Sequence, residues 1–324
     1  MKIVVLDSMP LDAEGDLNWL PLQELGELTR HPQTRPGEVA ERIRDADAVF
    51  TNKVRLSADH FAEAPNLRLV SVLATGYDIV EVAAARQRGI TVCNVPGYST
   101  PSTAQTTIAL LLELCHRTGD HAQGVRDGAW IKAGIWSWWQ QTPVELDGKT
   151  LLIVGYGAVG KRVGQIAEAL GMTVIAAQLP GRDSGSSEGR TVQRVPLEDA
   201  LPLADVVSLH CPLTPETREL MNQERLARMK PGAFLLNTAR GGLVADYAVR
   251  AALETGRLGG YGADVLGVEP PPSDHPLLSA PYPPNCLITA HFAWASFASR
   301  SRLLADSIQN LRSFLAGTPQ NVVS

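Results

Sequence analysis

The 324-residue chain has only four cysteines, Cys93, Cys115, Cys211 and Cys286, and no two form a CxxC pair. That excludes a disulfide scaffold and argues against a structural zinc site. Scattered among apolar neighbours, they read as buried free thiols in a reducing cytosol. No run of Lys or Arg occurs, and 29 basic against 34 acidic side chains leave a net charge of −5. A nucleic-acid surface would need a clustered basic face, so nucleic acid is not an expected partner. Long hydrophobic runs are missing as well. The apolar stretch opening MKIVVLDSMP is too short for a signal peptide or a membrane span and reads as a first strand. These absences leave a soluble cytoplasmic protein with no membrane partner and no metal.

What is present is alternation. The length exceeds one typical domain, and short β-rich runs alternate with helical patterns, as in parallel sheets with crossover helices. In the first third the expected strands are Ile3–Leu6, Ala48–Thr51, Leu69–Leu73 and Thr91–Asn94. Ser57 is an expected N-cap, and a helix near Ile79–Arg88 is closed by Gly89. Ser99-Thr100-Pro101 opens a long apolar helix ending near His116. From Lys149 the pattern restarts, with strands expected at Leu151–Val154, Thr173–Ala177, Asp205–Leu209, Ala233–Asn237, Gly262–Val265 and Leu287–Thr289. Six strands are what two mononucleotide-binding halves supply. The tail ASRSRLLADSIQNLRSFLAG is an amphipathic helix that can return to the first domain. The expected fold is α/β with two doubly wound parallel-sheet domains. A Rossmann dinucleotide-binding domain over 98–290 interrupts a flavodoxin-like substrate domain built from 1–97 and 291–324.

The sharpest local signal is LLIVGYGAVGKRVG, with Gly155, Gly157 and Gly160 between a strand and a helix. The first glycine permits a tight turn, the second lets backbone approach a pyrophosphate, and the third allows close helix–strand packing. Ala158 and Val159 begin the helix, whose N-terminal N–H groups suit phosphate. Glycines also serve ordinary turns, but the strand before and the strand after Gly171 support dinucleotide binding. An acidic residue normally selects NAD at the end of the second strand. Here the sequence is AAQLPGR, with Gln178 in that place and Arg182 following. Losing the carboxylate removes repulsion toward a 2′-phosphate, and Arg182, with Arg190, can pair with one. NADP is slightly favoured over NAD; a solvated surface arginine is the alternative.

In open α/β sheets ligands sit beyond the carboxyl ends of the strands. Those ends carry the glycine loop, His210-Cys211-Pro212, Thr238-Ala239-Arg240, Asp264 and Ala290-His291, and Glu269 follows Asp264 by five residues. Arg240 is a permanent cation flanked by small residues and two glycines in GAFLLNTARGGLVAD. Arginine is rarely buried unpaired, so this one is expected at the rim of the core, facing a ligand.

These segments resemble the D-isomer-specific 2-hydroxyacid dehydrogenases over nearly the whole chain. The likeness lies in VGYGAVG, SLHCPLTPETREL, MKPGAFLLNTARGGLV, GADVLGVEPP and TAHFAW. LATGYDIVEVAAARQRGITVCNVPGYSTPSTAQTTIALLL is most similar to the glycerate dehydrogenase and hydroxypyruvate–glyoxylate reductase branch. The resemblance implies that Arg240 grips the substrate carboxylate and keto oxygen, and that Glu269 supports His291, which passes the proton. It implies a backbone N–H loop at Ala74, Thr75 and Gly76 for the carboxylate, with Lys53 either facing the cleft or solvated. Thr107, Cys211, Pro212, Thr217, Thr238, Ala239 and Asp264 fall on the implied cofactor surface. A homodimer is also implied; Trp136, Trp138 and Trp139 in GAWIKAGIWSWWQQTP form its arm, a lid, or core packing. The chain departs from the family at Ala290, where proline usually precedes the histidine, and at Gln105, where glutamate is usual.

The chemistry accounts for the residue types. Reducing a 2-keto acid adds hydride to carbon and a proton to oxygen. A guanidinium fork holds carboxylate and keto oxygen together, which lysine cannot do with fixed geometry. Histidine titrates near neutrality, and a carboxylate beside it fixes the tautomer and stabilises the charged ring. Reduction is then favoured at neutral pH and oxidation at higher pH. Each residue has a plainer reading: a satisfied core histidine, a domain-bridging arginine, a solvated loop acid, a strand-end aspartate capping a turn. The function expected is a D-2-hydroxyacid dehydrogenase acting on hydroxypyruvate or glyoxylate. The alternatives on the same fold are a dinucleotide-sensing binding protein resembling corepressors, and a dehydrogenase for phosphite or formate.

Overall fold

The computed structural model describes residues 1–179 and 192–324; Arg182 and Arg190 therefore lie outside the described residues. The chain divides into two compact units, 1–99 with 294–324, and 100–293.

The first unit holds β1 (Lys2–Val5), β2 (Glu27–Arg30), β3 (Ala48–Thr51), β4 (Leu69–Val72) and β5 (Thr91–Cys93). They form one parallel sheet in the order β2-β1-β3-β4-β5, the flavodoxin-like arrangement. β3 and β4 are buried along their whole length, because a parallel sheet is covered on both faces and needs apolar residues on both. One face packs on Val39, Ile43, Phe61 and Ala85. The other packs on the helix Phe297–Leu315, where Leu303, Leu304, Ile308 and Leu311 share a cluster with Ile3, Val5 and Phe50. Their three- and four-residue spacing puts all four on one helical face. This is why the C-terminal segment belongs to the first unit.

The second unit holds β6 (Thr150–Val154), β7 (Thr173–Gln178), β8 (Gln193–Pro196), β9 (Val206–Leu209), β10 (Ala233–Asn237), β11 (Leu258–Ala263) and β12 (Cys286–Ile288). All are parallel, in the order β12-β11-β10-β9-β6-β7-β8. Counted from β6 this is the doubly wound 3-2-1-4-5-6 order with a seventh strand added. The helix Thr100–His116 lies in the hydrophobic cluster on one face, with Leu111 and Leu114 beside Leu151, Ile153 and Leu236.

Seven strands stand where sequence patterning predicts six, and the first sheet gains β2. Both unforeseen strands, ELTR and QRVP, lie at sheet edges with mostly exposed residues. An edge strand buried on neither face carries no apolar run to detect. β11 begins at Leu258 rather than Gly262 because LGGYGA is rich in glycine. A Cβ at Gly260 would come within 2.6 Å of the Asn285 amide nitrogen, so close packing demands the residue that hides the strand. The helix expected at 79–88 is confined to Val82–Gln87. The unit boundaries fall at 99/100 and 293/294 instead of 97/98 and 290/291. Residues 291–293 stay with the second sheet because Asp264 binds them: its carbonyl accepts from His291 N and its carboxylate from Phe292 N and Ala293 N.

Ladder register aligns the strand ends. Val154, Leu209, Asn237, Ala263 and Ile288 are successive partners across β6, β9, β10, β11 and β12. The next residue of each strand therefore starts a loop on the same edge: Gly155, His210, Thr238, Asp264 and Thr289. β6 and β9 flank the topological switch point, where Gly155 has φ +100° and a Cβ would lie 2.5 Å from Cys211 N. Gly155→Ala meets both a backbone conformation disfavoured for side chains and a clash with main chain. We expect a loss of about 1–3 kcal/mol, seen as a lower denaturant midpoint; an unchanged midpoint would contradict this account of the turn.

Candidate active site

Arg240 stands three residues beyond the end of β10, exposed, and the segment before it is braced from below. Asn237 is fully buried. Its Nδ2 donates to Arg240 O at 2.9 Å and its Oδ1 accepts from Ala239 N at 3.1 Å, so one amide closes the turn on which Arg240 rides. The guanidinium donates to Ala239 O at 2.7 Å. Gly241 explains the bare backbone: a Cβ there would overlap the main chain of Leu266 and Gly267. The arginine loop thus packs backbone to backbone against the loop that carries Glu269.

Glu269 and His291 meet. His291 Nδ1 and Glu269 Oε2 are 2.6 Å apart, and Glu269 Oε1 accepts from Leu266 N at 3.0 Å. The carboxylate is half-exposed, with 36% side-chain accessibility against 28% for the imidazole. A charge-assisted bond to one ring nitrogen orients the ring and fixes which nitrogen faces outward chemistry. His291 holds φ +52°, a left-handed conformation that a non-glycine residue keeps only where its surroundings impose it. Asp264 imposes it. Its carboxylate, 1% exposed, accepts from Thr289 Oγ1 at 2.6 Å, Phe292 N at 3.0 Å and Ala293 N at 2.8 Å.

The glycine loop fits a dinucleotide. The helix Ala158–Ala169 starts from Gly157, and a Cβ on Gly157 would meet no described atom within 4 Å. Packing does not require glycine there, and the open space leaves room for a ligand to approach the helix N-terminus. Gly160, by contrast, lies against Ile153 and the Gly155 carbonyl, the close helix–strand contact expected of the third glycine.

A family model, "D-isomer specific 2-hydroxyacid dehydrogenase, NAD binding domain", matches residues 108–293. The chain is 44% identical to a hydroxypyruvate reductase of Blautia hydrogenotrophica, with 100% of each chain covered. It is 38% identical to a glycerate dehydrogenase of Methylorubrum extorquens over 99% of this chain and 98% of that one. The chain belongs to the D-isomer-specific 2-hydroxyacid dehydrogenases. A Sinorhizobium meliloti NADPH-dependent glyoxylate/hydroxypyruvate reductase, solved with NADP and malonate, superposes with a TM-score of 0.82 at 27% identity, covering 100% of this chain and 96% of that one. This dehydrogenase is accordingly an oxidoreductase using NAD or NADP.

Within the dehydrogenase the expected cofactor residues divide into two groups. Gly155, Gly157, Pro212 and Ala239 lie on the loops at the carboxyl edge, Ala158 and Val159 begin the helix that follows, and Gln178 ends β7, half-buried. Thr107 and Asp264 do not reach the surface. Thr107 Oγ1 is 2.8 Å from both Thr103 O and Thr238 Oγ1, bracing the arginine loop from the long helix. Thr217 Oγ1 donates to Pro212 O at 2.7 Å and accepts from Thr214 N at 2.7 Å, shaping the loop after Cys211, which is itself buried. Asn237 and Thr289 join the site as bracing residues, marked in the sequence only as polar residues closing apolar strands. In the first unit, Thr75 Oγ1 donates to Val95 O and Asn94 Nδ2 to Thr75 O, fixing the turn Ala74–Gly76. Lys53 is exposed, its N–H held by the buried Asp7 carboxylate at 2.6 Å. Among the described residues no group of three metal-ligating side chains occurs and no helix is long and apolar enough to cross a membrane.

His210, beside Gly155, is a structural histidine. Its Nε2 is 2.8 Å from Ser208 Oγ, and burial pushes its pKa down from 6.5 to about 4. A lowered folded value means that the neutral ring stabilises the fold above about pH 6.5, and that this contribution is lost as pH falls toward 4. His210→Gln should remove that part of the acid destabilisation, measured as denaturant midpoints across this range; an unaltered acid slope would exclude His210 as its source.

Proposed function

We propose that this dehydrogenase reduces a small 2-keto acid, hydroxypyruvate or glyoxylate, to the D-2-hydroxy acid. The carrying observation is the 2.6 Å Glu269–His291 contact on a loop whose backbone abuts that of Arg240-Gly241. The substrates named for the Blautia, Methylorubrum and Sinorhizobium proteins support the same assignment. The reduced nicotinamide supplies hydride to the substrate carbon. Arg240 holds the carboxylate and keto oxygen in its planar fork and stabilises negative charge gathering on that oxygen. His291, with Nδ1 held by Glu269, delivers a proton from Nε2 to the same oxygen, and in oxidation takes it back. Ala74, Thr75 and Gly76, with Lys53, are assigned to the substrate carboxylate. Domain roles follow: the first unit binds substrate, and the second holds the cofactor on Gly155, Gly157, Ala158, Val159 and Gly160, with Cys211, Pro212, Thr238 and Ala239 beside it.

NADP is favoured slightly over NAD. Gln178 ends β7 without the carboxylate that would repel a 2′-phosphate, and the Sinorhizobium protein binds NADP. A homodimer in the cytoplasm completes the reading. Trp136 and Trp139 are 91% and 58% exposed, with Ile131 at 87%, and aromatic residues are enriched at protein interfaces.

Assays with hydroxypyruvate, glyoxylate and pyruvate, each with NADPH and NADH, test the substrate and cofactor together. His291→Gln should lower kcat by on the order of 10²–10⁴, the usual contribution of a positioned general acid. Arg240→Lys should lower kcat/KM roughly ten- to hundred-fold, the loss of a hydrogen bond between charged groups. Wild-type turnover by either variant would remove that residue from the mechanism.

A further inference from the structure

A second carboxylate–imidazole pair lies behind the loop that carries Glu269. His275 is buried and its Nε2 is 3.1 Å from Asp246 Oδ2. Leu277 N donates to the other ring nitrogen at 3.3 Å, so Nδ1 is the acceptor and Nε2 carries the hydrogen that Asp246 receives. Asp246 opens the helix Asp246–Glu254. One turn on, Arg250 donates from the same helix face to Pro276 O at 2.6 Å, Ser279 O at 3.3 Å and Pro281 O at 3.0 Å. Two side chains of one helix therefore clamp residues 275–281.

The clamp reaches Glu269 from both directions. Upstream, Asp246 Oδ2, the same oxygen that holds His275, faces the side of Gly267 on which a Cβ would project, 3.9 Å from that position and two residues before Glu269. Downstream, Pro270, Pro271 and Pro272 join Glu269 to the His275 turn, and His275 N donates to Pro272 O at 3.1 Å. Three consecutive prolines have fixed φ, which leaves few soft torsions between the clamp and the acid. Glu269 is half-exposed, reaches over to His291, and accepts from Leu266 N of its own loop. We infer that Asp246 and His275 are positioning residues that hold Glu269 at its 2.6 Å contact with His291, without touching substrate or cofactor. This rests on the Glu269–His291 reading above.

A double-mutant cycle on the full chain tests it. Asp246→Asn should lower kcat about tenfold, within the coupling range for residues sharing a network, while KM for the keto acid and for the reduced nicotinamide stays within about twofold. In the Glu269→Gln background the same change should produce no further loss. His275→Gln, which keeps an N–H for Asp246, should retain more turnover than His275→Leu at matched folded fraction, and it serves if Asp246→Asn does not fold. Equal losses in both backgrounds, or a lowered melting temperature with unchanged kcat, would overturn the positioning role alone. Wild-type turnover by Glu269→Gln would overturn the acid–imidazole reading and this inference with it.

Discussion

The buried carboxylate of Asp264 is the constraint on which the catalytic edge depends. It stands one residue past β11 and accepts three hydrogen bonds from the segment after β12. A buried carboxylate is costly unless its lone pairs are met by donors, and here the donors are the Thr289 hydroxyl before His291 and the main-chain N–H groups of Phe292 and Ala293 after it. The same arrangement holds His291 in a left-handed conformation and gives residues 291–293 to the second unit. Thr289, Phe292 and Ala293 are thus fixed by one side chain that itself reaches no solvent.

The three proposed catalytic side chains are each supported in the same way, by polar groups beneath the surface and by main chain in close contact. Asn237 closes the Arg240 turn, Thr107 and Thr238 brace it from the long helix, and Gly241 lets it lie flat on the Leu266–Gly267 backbone. Rigid presentation matters because a proton donor and an anion fork work only at defined distances from the reacting oxygen. The exposed positions proposed for chemistry are thereby separated from the buried positions that brace them. Thr107 and Asp264, which motif likeness places on the cofactor surface, are buried and hydrogen-bonded beneath it.

Much of this was written in the chain. Parallel strands buried on both faces must be continuous apolar runs, so β3, β4, β6, β9 and β10 were legible within a residue or so. The glycine loop was legible because each glycine meets a separate steric demand, and Arg240, Glu269 and His291 stood out as charged or titratable residues in the segments after strand ends that resemble the dehydrogenase motifs. Edge strands β2 and β8 carried no such mark, and β11 was concealed by glycines that tight packing required.

Tertiary structure alone decided the rest. Local sequence specifies which residues end a strand, but ladder register places Val154, Leu209, Asn237, Ala263 and Ile288 in one row. Only that alignment brings loops from positions 155 to 291 to a common edge. The partners of Asp264 and Asp246 are up to 29 residues away, beyond the reach of any periodicity. Hydrogen bonds between distant segments exist once the strands have paired, so their roles were invisible until the sheet had assembled.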